Sequence, residues 1–214
     1  MKKVLVAIVA LFCSVSSFAQ YSSGGFSLDE ENLYWGVRFG LTGASIGGDL
    51  DVGMKTGMTL AGVVGLRASD STPVFIESGL YYTERGAKSG ETSKGVIKQV
   101  SYNNLEIPLL VKYGIKATDE IAVLPFFGPY FSYAFSGKTK VEDLNGKIVS
   151  VGTFDEKKWE GLKRANMGFK IGCGAEYNKV YLEVGYQIGV TNICKKDEVT
   201  AHSNALFVNF GVNF

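Results

Sequence analysis

From Val180 to Val190 the even positions are Val180, Leu182, Val184, Tyr186, Ile188 and Val190, and the odd ones are Tyr181, Glu183, Gly185, Gln187 and Gly189. Strict period two gives a strand with one apolar face and one face of polar and small residues. The same alternation runs through Met167–Tyr177 and through Asn104–Gly114, where only Leu110 interrupts it. The final segment repeats it, with Leu206, Val208, Phe210, Val212 and Phe214 set between Phe207, Asn209, Gly211 and Asn213. Weaker versions at 35–43, 58–66, 74–85 and 127–136 bring the predicted strands to eight.

The connections alternate as well. Long polar links are predicted at 45–53, 86–98, 137–163 and 193–203, and short ones at 68–72, 117–120 and 178–179. An even strand number with every other connection short describes an up-and-down antiparallel meander with both chain ends on the short-turn side. The 137–163 link mixes lysines with acids and contains Asn145-Gly146, a hairpin-turn pair.

Such a sheet closes either as a soluble barrel with an apolar interior or as a membrane barrel with an apolar exterior. Three features favour the second. Glycines such as Gly36, Gly40, Gly65, Gly128, Gly174 and Gly185 crowd the polar face, while only Gly43 and Gly62 fall on the apolar one. Glycine weakens a water-facing strand, whereas inside a narrow barrel it makes room for long side chains opposite. The polar face also carries Arg38, Arg67, Glu77, Arg85, Glu106, Lys112, Lys170, Glu176 and Glu183, and the apolar face of the same strands carries no charge. Charges of both signs can pair in a lumen, but Arg or Lys facing lipid at the midplane costs about 2–4 kcal/mol. Thirdly, Tyr34, Trp35, Tyr82, Tyr113, Tyr133, Tyr177 and Phe214 stand towards strand ends, as interfacial aromatics do. The expected fold is therefore all-β, an eight-stranded antiparallel up-and-down transmembrane β-barrel over residues 34–214.

Residues 1–19 are expected to be a secretory signal. Lys2 and Lys3 precede the apolar run Val4–Phe12, and Ser17-Phe18-Ala19 forms a small-x-small cleavage site before Gln20. Residues 20–33 then form a polar lead-in. Nothing beyond residue 20 approaches the roughly eighteen consecutive apolar residues of a spanning helix. Without Lys2 and Lys3 the chain has 20 basic against 21 acidic residues, which offers no electrostatic case for binding nucleic acid.

The segments YNNLEIPLLVKYG (102–114), FFGPYFSYAFSG (126–137), GFKIGCGAEY (168–177) and VGYQIGVTNI (184–193) resemble the PorT-type outer-membrane β-barrel family. The resemblance extends from about residue 34 to 214, and its most specific pieces are Leu105-Glu106-Ile107-Pro108, Gly128-Pro129-Tyr130 and Asn192-Ile193. It implies an eight-stranded barrel in the outer membrane of a Gram-negative bacterium. The founding member is linked to protein secretion, but a shared barrel does not confer a shared activity. Where the family leads to expect an acid before the GFxxGxG-like segment, this chain has Asn166.

Chemistry-bearing motifs are sparse. His202, the single histidine, precedes Ser203, but sequence neighbours on a strand point to opposite faces and no orienting third group accompanies them. Pro108 in mid-strand predicts a bulge that either aims Glu106 at an ion path or ties it to an inward cation. A two-residue turn at Asn178-Lys179 pairs Tyr177 with Val180, sets Cys173 opposite Val184 and leaves Cys194 roughly 33 Å further along, so no disulfide is expected. Asp49 and Asp51 in GGDLDVG are too few for a calcium cage by themselves. No catalytic residue, cofactor or metal is assigned.

The functional expectation is a non-enzymatic outer-membrane protein with a side-chain-filled polar lumen, serving envelope integrity, partner contact or secretion support through loops or rims. A small passive pore through the charged residues is the alternative, and a lipid-modifying enzyme the third reading. Expected partners are outer-membrane lipid and the barrel-assembly machinery, with Phe210 and Phe214 as the assembly signal, an unidentified envelope or extracellular protein, and no nucleic acid. The barrel is expected to be a monomer.

Overall fold

The computed structural model describes residues 33–48, 53–69, 71–92, 95–142, 148–154, 162–195 and 200–214. The signal segment 1–19, the lead-in up to residue 32 and the Asp49–Asp51 loop lie outside the described residues. The strands are β1 (Leu33–Gly48), β2 (Gly53–Arg67), β3 (Val74–Thr92), β4 (Gly95–Tyr113), β5 (Ile115–Lys116), β6 (Ile121–Glu142), β7 (Ile148–Gly152), β8 (Ala165–Tyr177), β9 (Val180–Gly189) and β10 (Ala201–Asn213). Each wall strand pairs antiparallel with the next, in the order β1, β2, β3, β4, β6, β8, β9, β10. β10 then pairs back to β1 from Gly36↔Asn213 to Gly48↔Ala201, closing an eight-stranded barrel. The seam continues through Trp35, whose N–H donates to the Phe214 carbonyl at 3.0 Å and whose carbonyl accepts from Phe214 N–H at 2.7 Å. The two rings stack at 4.5 Å.

The burial pattern decides which face points outward. Phe39, Leu41, Met58, Leu109, Phe127, Ile171, Leu206 and Phe210 are exposed, while Arg38, Glu77, Glu106, Lys112 and Glu183 are buried. That reverses the usual partition of a water-soluble protein. An apolar belt around the whole wall is stable only against lipid, and closure leaves no strand edge unpaired within it.

Several details differ from the sequence-based expectation. Leu33, placed in the lead-in, opens β1. The predicted 86–98 link is largely strand, with β3 and β4 paired as far as Thr92↔Gly95. Much of 137–163 is strand too, because β6 runs to Glu142 and β7 folds back on it from Glu142↔Ile148 to Lys138↔Gly152. Backbone ladders need no apolar side chains, so strands outlast the alternation, which marks only their lipid-facing part. Pro108 makes no bulge: the β3–β4 register is the same at Ser78↔Leu109 and Tyr81↔Glu106. The proline instead leaves a local gap in the ladder, and Ser78 Oγ donates to its carbonyl at 2.7 Å. Between β4 and β6 the register shifts at Asn103/Asn104, where β6 carries Phe135 as an extra residue, and again at Ile97/Gln99. The β8–β9 turn is as expected, with Tyr177↔Val180, Cys173↔Val184 and Asn178 at φ 54°.

Candidate functional site: the occluded lumen

Period two sends alternate residues of all eight wall strands into one narrow interior, so the charged positions of the polar faces converge there. In the short-turn half, Glu77 is the hub. Its Oε2 accepts from Tyr34 OH at 2.7 Å and from Lys112 Nζ at 2.8 Å, with Arg38 Nη2 at 3.5 Å. Lys112 Nζ also donates to Tyr181 OH at 2.9 Å, and the Arg38 guanidinium lies 4.1 Å from the centre of the Tyr181 ring. Glycine makes this arrangement possible. A Cβ on Gly65 would lie 2.1 Å from the Tyr34 ring, and one on Gly174 would lie 2.1 Å from Tyr181 OH. Beside the hub, Asn213 Nδ2 donates to Glu176 Oε2 at 2.9 Å and Asn209 Nδ2 to Glu183 Oε1 at 2.8 Å.

A second hub forms further along the barrel axis. Glu106 Oε2 pairs with Arg85 Nη2 at 2.7 Å, and its Oε1 accepts from Gln187 Nε2 at 2.5 Å. Arg85 also donates to Gln187 Oε1. Lys170 Nζ approaches Glu106 Oε1 at 3.9 Å and lies over the rings of Tyr81 (4.2 Å) and Phe207 (4.4 Å). Phe126, Phe207 and Leu110 pack together inside the barrel, which accounts for the one break in the alternation of Asn104–Gly114.

The long-hairpin end is closed differently. Ile46, Val100, Val151, Leu162, Ile193 and Cys194 form an apolar cluster across the mouth. Segments beyond β8 and β9 carry the wall around it. Thr153 N–H donates to Gly137 O, Leu162 N–H to Thr153 O, Lys163 N–H to Ile193 O and Ile193 N–H to Ala201 O, at 2.7 to 3.3 Å. Asn192 Oδ1 accepts from both Cys194 N–H and Ala201 N–H at 3.0 Å, so Asn192-Ile193 ties and fills the cap. A cavity beside this cap, lined by Tyr102, Asn104, Ser132, Asn166, Leu162 and Arg164, has a volume of about 10 Å³. That is room for about one water.

Of the nine charges anticipated in the lumen, eight are buried there: Arg38, Arg85, Lys112 and Lys170 against Glu77, Glu106, Glu176 and Glu183. Arg67 is the exception. It ends β2 half-exposed at the short-turn rim, with Nε donating to Ser69 O at 2.9 Å. With Arg67 outside, the buried charges balance four to four. Tyr34, expected among the interfacial aromatics, turns inward to Glu77, and its parity with Gly36 and Arg38 was the available signal. Gln187 and Tyr181 joined the hubs without being singled out, although both sit at inward positions of the clearest strand. Ser203 is buried against Tyr102 OH at 2.9 Å, while His202 lies on the outer wall beside Gly47. The two therefore form no dyad. Among the described residues no group of three His, Cys, Asp or Glu side chains forms a metal-binding cluster.

The chain matches the outer membrane protein beta-barrel domain over residues 18–195. It belongs to that family. As an outer membrane β-barrel it is placed in the bacterial outer membrane. Its fold is shared with the outer membrane protein OprG from Pseudomonas aeruginosa, at 11% identity over 88% of this chain and 99% of that one, with a TM-score of 0.50. A major outer membrane protein from Thermus thermophilus aligns at 13% identity over 86% of this chain and 100% of that one, with a TM-score of 0.48. Neisserial surface protein A aligns at 18% identity over 86% and 98% of the two chains, with a TM-score of 0.45. No curated protein matches the chain. At such identities the likeness to OprG speaks for the barrel fold alone.

Proposed function

We propose that this outer membrane barrel is a non-conducting, non-enzymatic protein that acts through its outer surfaces and rims, in envelope integrity, partner contact or secretion support. The observation that carries this reading is the double closure of the lumen by paired charges and an apolar cap. An ion path needs a continuous polar route and charges of one sign at its constriction. Here opposite charges neutralise each other within hydrogen-bond distance. The separation of His202 from Ser203 by the barrel wall supports the non-enzymatic part.

The finer resemblance to the PorT type rests on residues with architectural work. Glu106 is a hub, Gly128 makes room where its Cβ would lie 1.9 Å from Leu109 O, and Asn192 ties the cap. Those motifs therefore support a common barrel construction more than a common partner. Phe210 and Phe214 serve assembly in this reading, by presenting the closing strand's outer face to the assembly machinery.

Planar-bilayer recording of the refolded protein tests the proposal. The expected result is no stable opening. Ion-selective channels abolished by Glu106→Ala would overturn it in favour of a small pore.

A further inference from the structure

Above the apolar belt, the outer wall is charged on one side. Successive rows across β3, β4 and β6 read Tyr82, Leu105 and Tyr133, then Glu84, Asn103 and Ser136, then Gly86, Ser101 and Lys138, then Lys88, Gln99 and Lys140. Val100, Tyr102 and Thr139 are buried inward, so their neighbours in these rows face outward. Lys88, Lys138 and Lys140 are exposed, and none enters an ion pair among the described residues. Glu84 and Glu142 stand just below and above them on the same face. Between the lysines the wall carries hydrogen-bonding side chains in fixed positions. Gln99 Nε2 donates to Ser101 Oγ and Asn103 Nδ2 to Ser136 Oγ, each at 3.1 Å. The opposite wall at the same height presents Ser45, Gly47, His202 and Asn204, with no lysine or arginine among the described residues of β1 and β10 there.

Strand spacing sets the dimensions. Lys138 and Lys140 are about 7 Å apart along β6, and Lys88 lies two strands, about 10 Å, from Lys140. Along tilted strands the Lys138 row stands roughly 10 Å beyond the Tyr82–Tyr133 row and the Lys140 row roughly 15 Å. That is the depth of headgroups adjoining the hydrocarbon core, within reach of long lysine stems. The geometry points to a binding site for a phosphorylated glycolipid headgroup of the outer leaflet on the β3–β4–β6 wall, with Lys88, Lys138 and Lys140 holding phosphate and the Gln99–Ser101 pair meeting sugar hydroxyls. The lipid's acyl chains lie on the exposed apolar wall directly below, beside Tyr82, Leu105 and Tyr133. Charge complementarity and continuity with the lipid-facing belt select this occupant over an acidic protein. The site is independent of whether the lumen conducts.

Native mass spectrometry of the full chain in detergent micelles tests it, with lipid A carrying two phosphates, the same lipid after phosphatase treatment, and inorganic phosphate as probes. The bisphosphorylated lipid is expected to bind at least about tenfold tighter than the dephosphorylated one. An equal concentration of inorganic phosphate should not displace it. K88A/K138A/K140A should fall to the dephosphorylated level, and the matching triple arginine variant should retain binding. Heat-modifiable electrophoretic mobility establishes that both variants form barrels. Equal affinity for the two lipids, undiminished binding by the alanine variant, or displacement by inorganic phosphate overturns the site. So does capture of an acidic protein through the same lysines with no discrimination between lipids.

Discussion

The middle of the lumen and its long-hairpin mouth are both occluded, by opposite chemistry. The middle is filled by Arg85, Glu106, Lys112, Glu77 and their partners, and the mouth by Ile193, Leu162, Val151 and Ile46. The difference follows from the wall around each. In the middle, eight paired strands hold every side chain at a set height and angle, as buried ion pairs require if attraction is to offset desolvation. At the mouth β8 and β9 have ended, and irregular segments at 153–154, 162–164 and 192–195 complete the ring. Apolar packing is non-directional and tolerates that irregularity.

Breaking a hub should have the largest effect. Glu106→Ala leaves Arg85 without its carboxylate and Lys170 without its nearest one, and truncating one member of a buried pair typically costs about 3–5 kcal/mol. Urea unfolding in detergent should show that loss, with Glu106→Gln intermediate. A smaller effect is expected at the cap. Ile193→Ala should cost about 2 kcal/mol, felt locally. Faster labelling of the buried Cys194 thiol, with little change in global unfolding, would separate the cap from the middle; equal shifts would show that the two regions unfold as one. Gly65→Ala pushes against the Tyr34 ring and should cost about 1–3 kcal/mol through the Glu77 hub, read in the same unfolding assay. Phe214→Ala removes the stack on Trp35, worth about 1 kcal/mol. It should lower the yield of folded barrel in membranes more than an alanine at Asp119, in the exposed turn before β6, whereas equal yields would count against an assembly role.

Much of the middle was legible because a strand's period of two assigns each residue to one face. The inward positions of Arg38, Glu77, Glu106 and Lys170, and the pairing of Cys173 with Val184, follow from parity and one turn. Tyr34 was misread because its position near a strand end suggested the interface, although its parity pointed inward. Pro108 was misread because its missing N–H was met by a gap in the ladder instead of a bulge. The mouth was scarcely legible. Leu162, Ile193 and Cys194 lie in aperiodic segments, where local pattern carries no direction.

What the sequence by itself determined is the alternation: eight strands, an apolar face for lipid, glycines and balanced charge for the interior. Only the tertiary structure decided the partners. Glu106 meets Arg85 across 21 residues and Gln187 across 81. Glu77 meets Tyr34 across 43. Which inward side chains share a height depends on the stagger between strands all the way around the closed barrel, and closure is a property of the whole sheet. The cap depended on it as well, since its residues become neighbours only once β10 has joined β1.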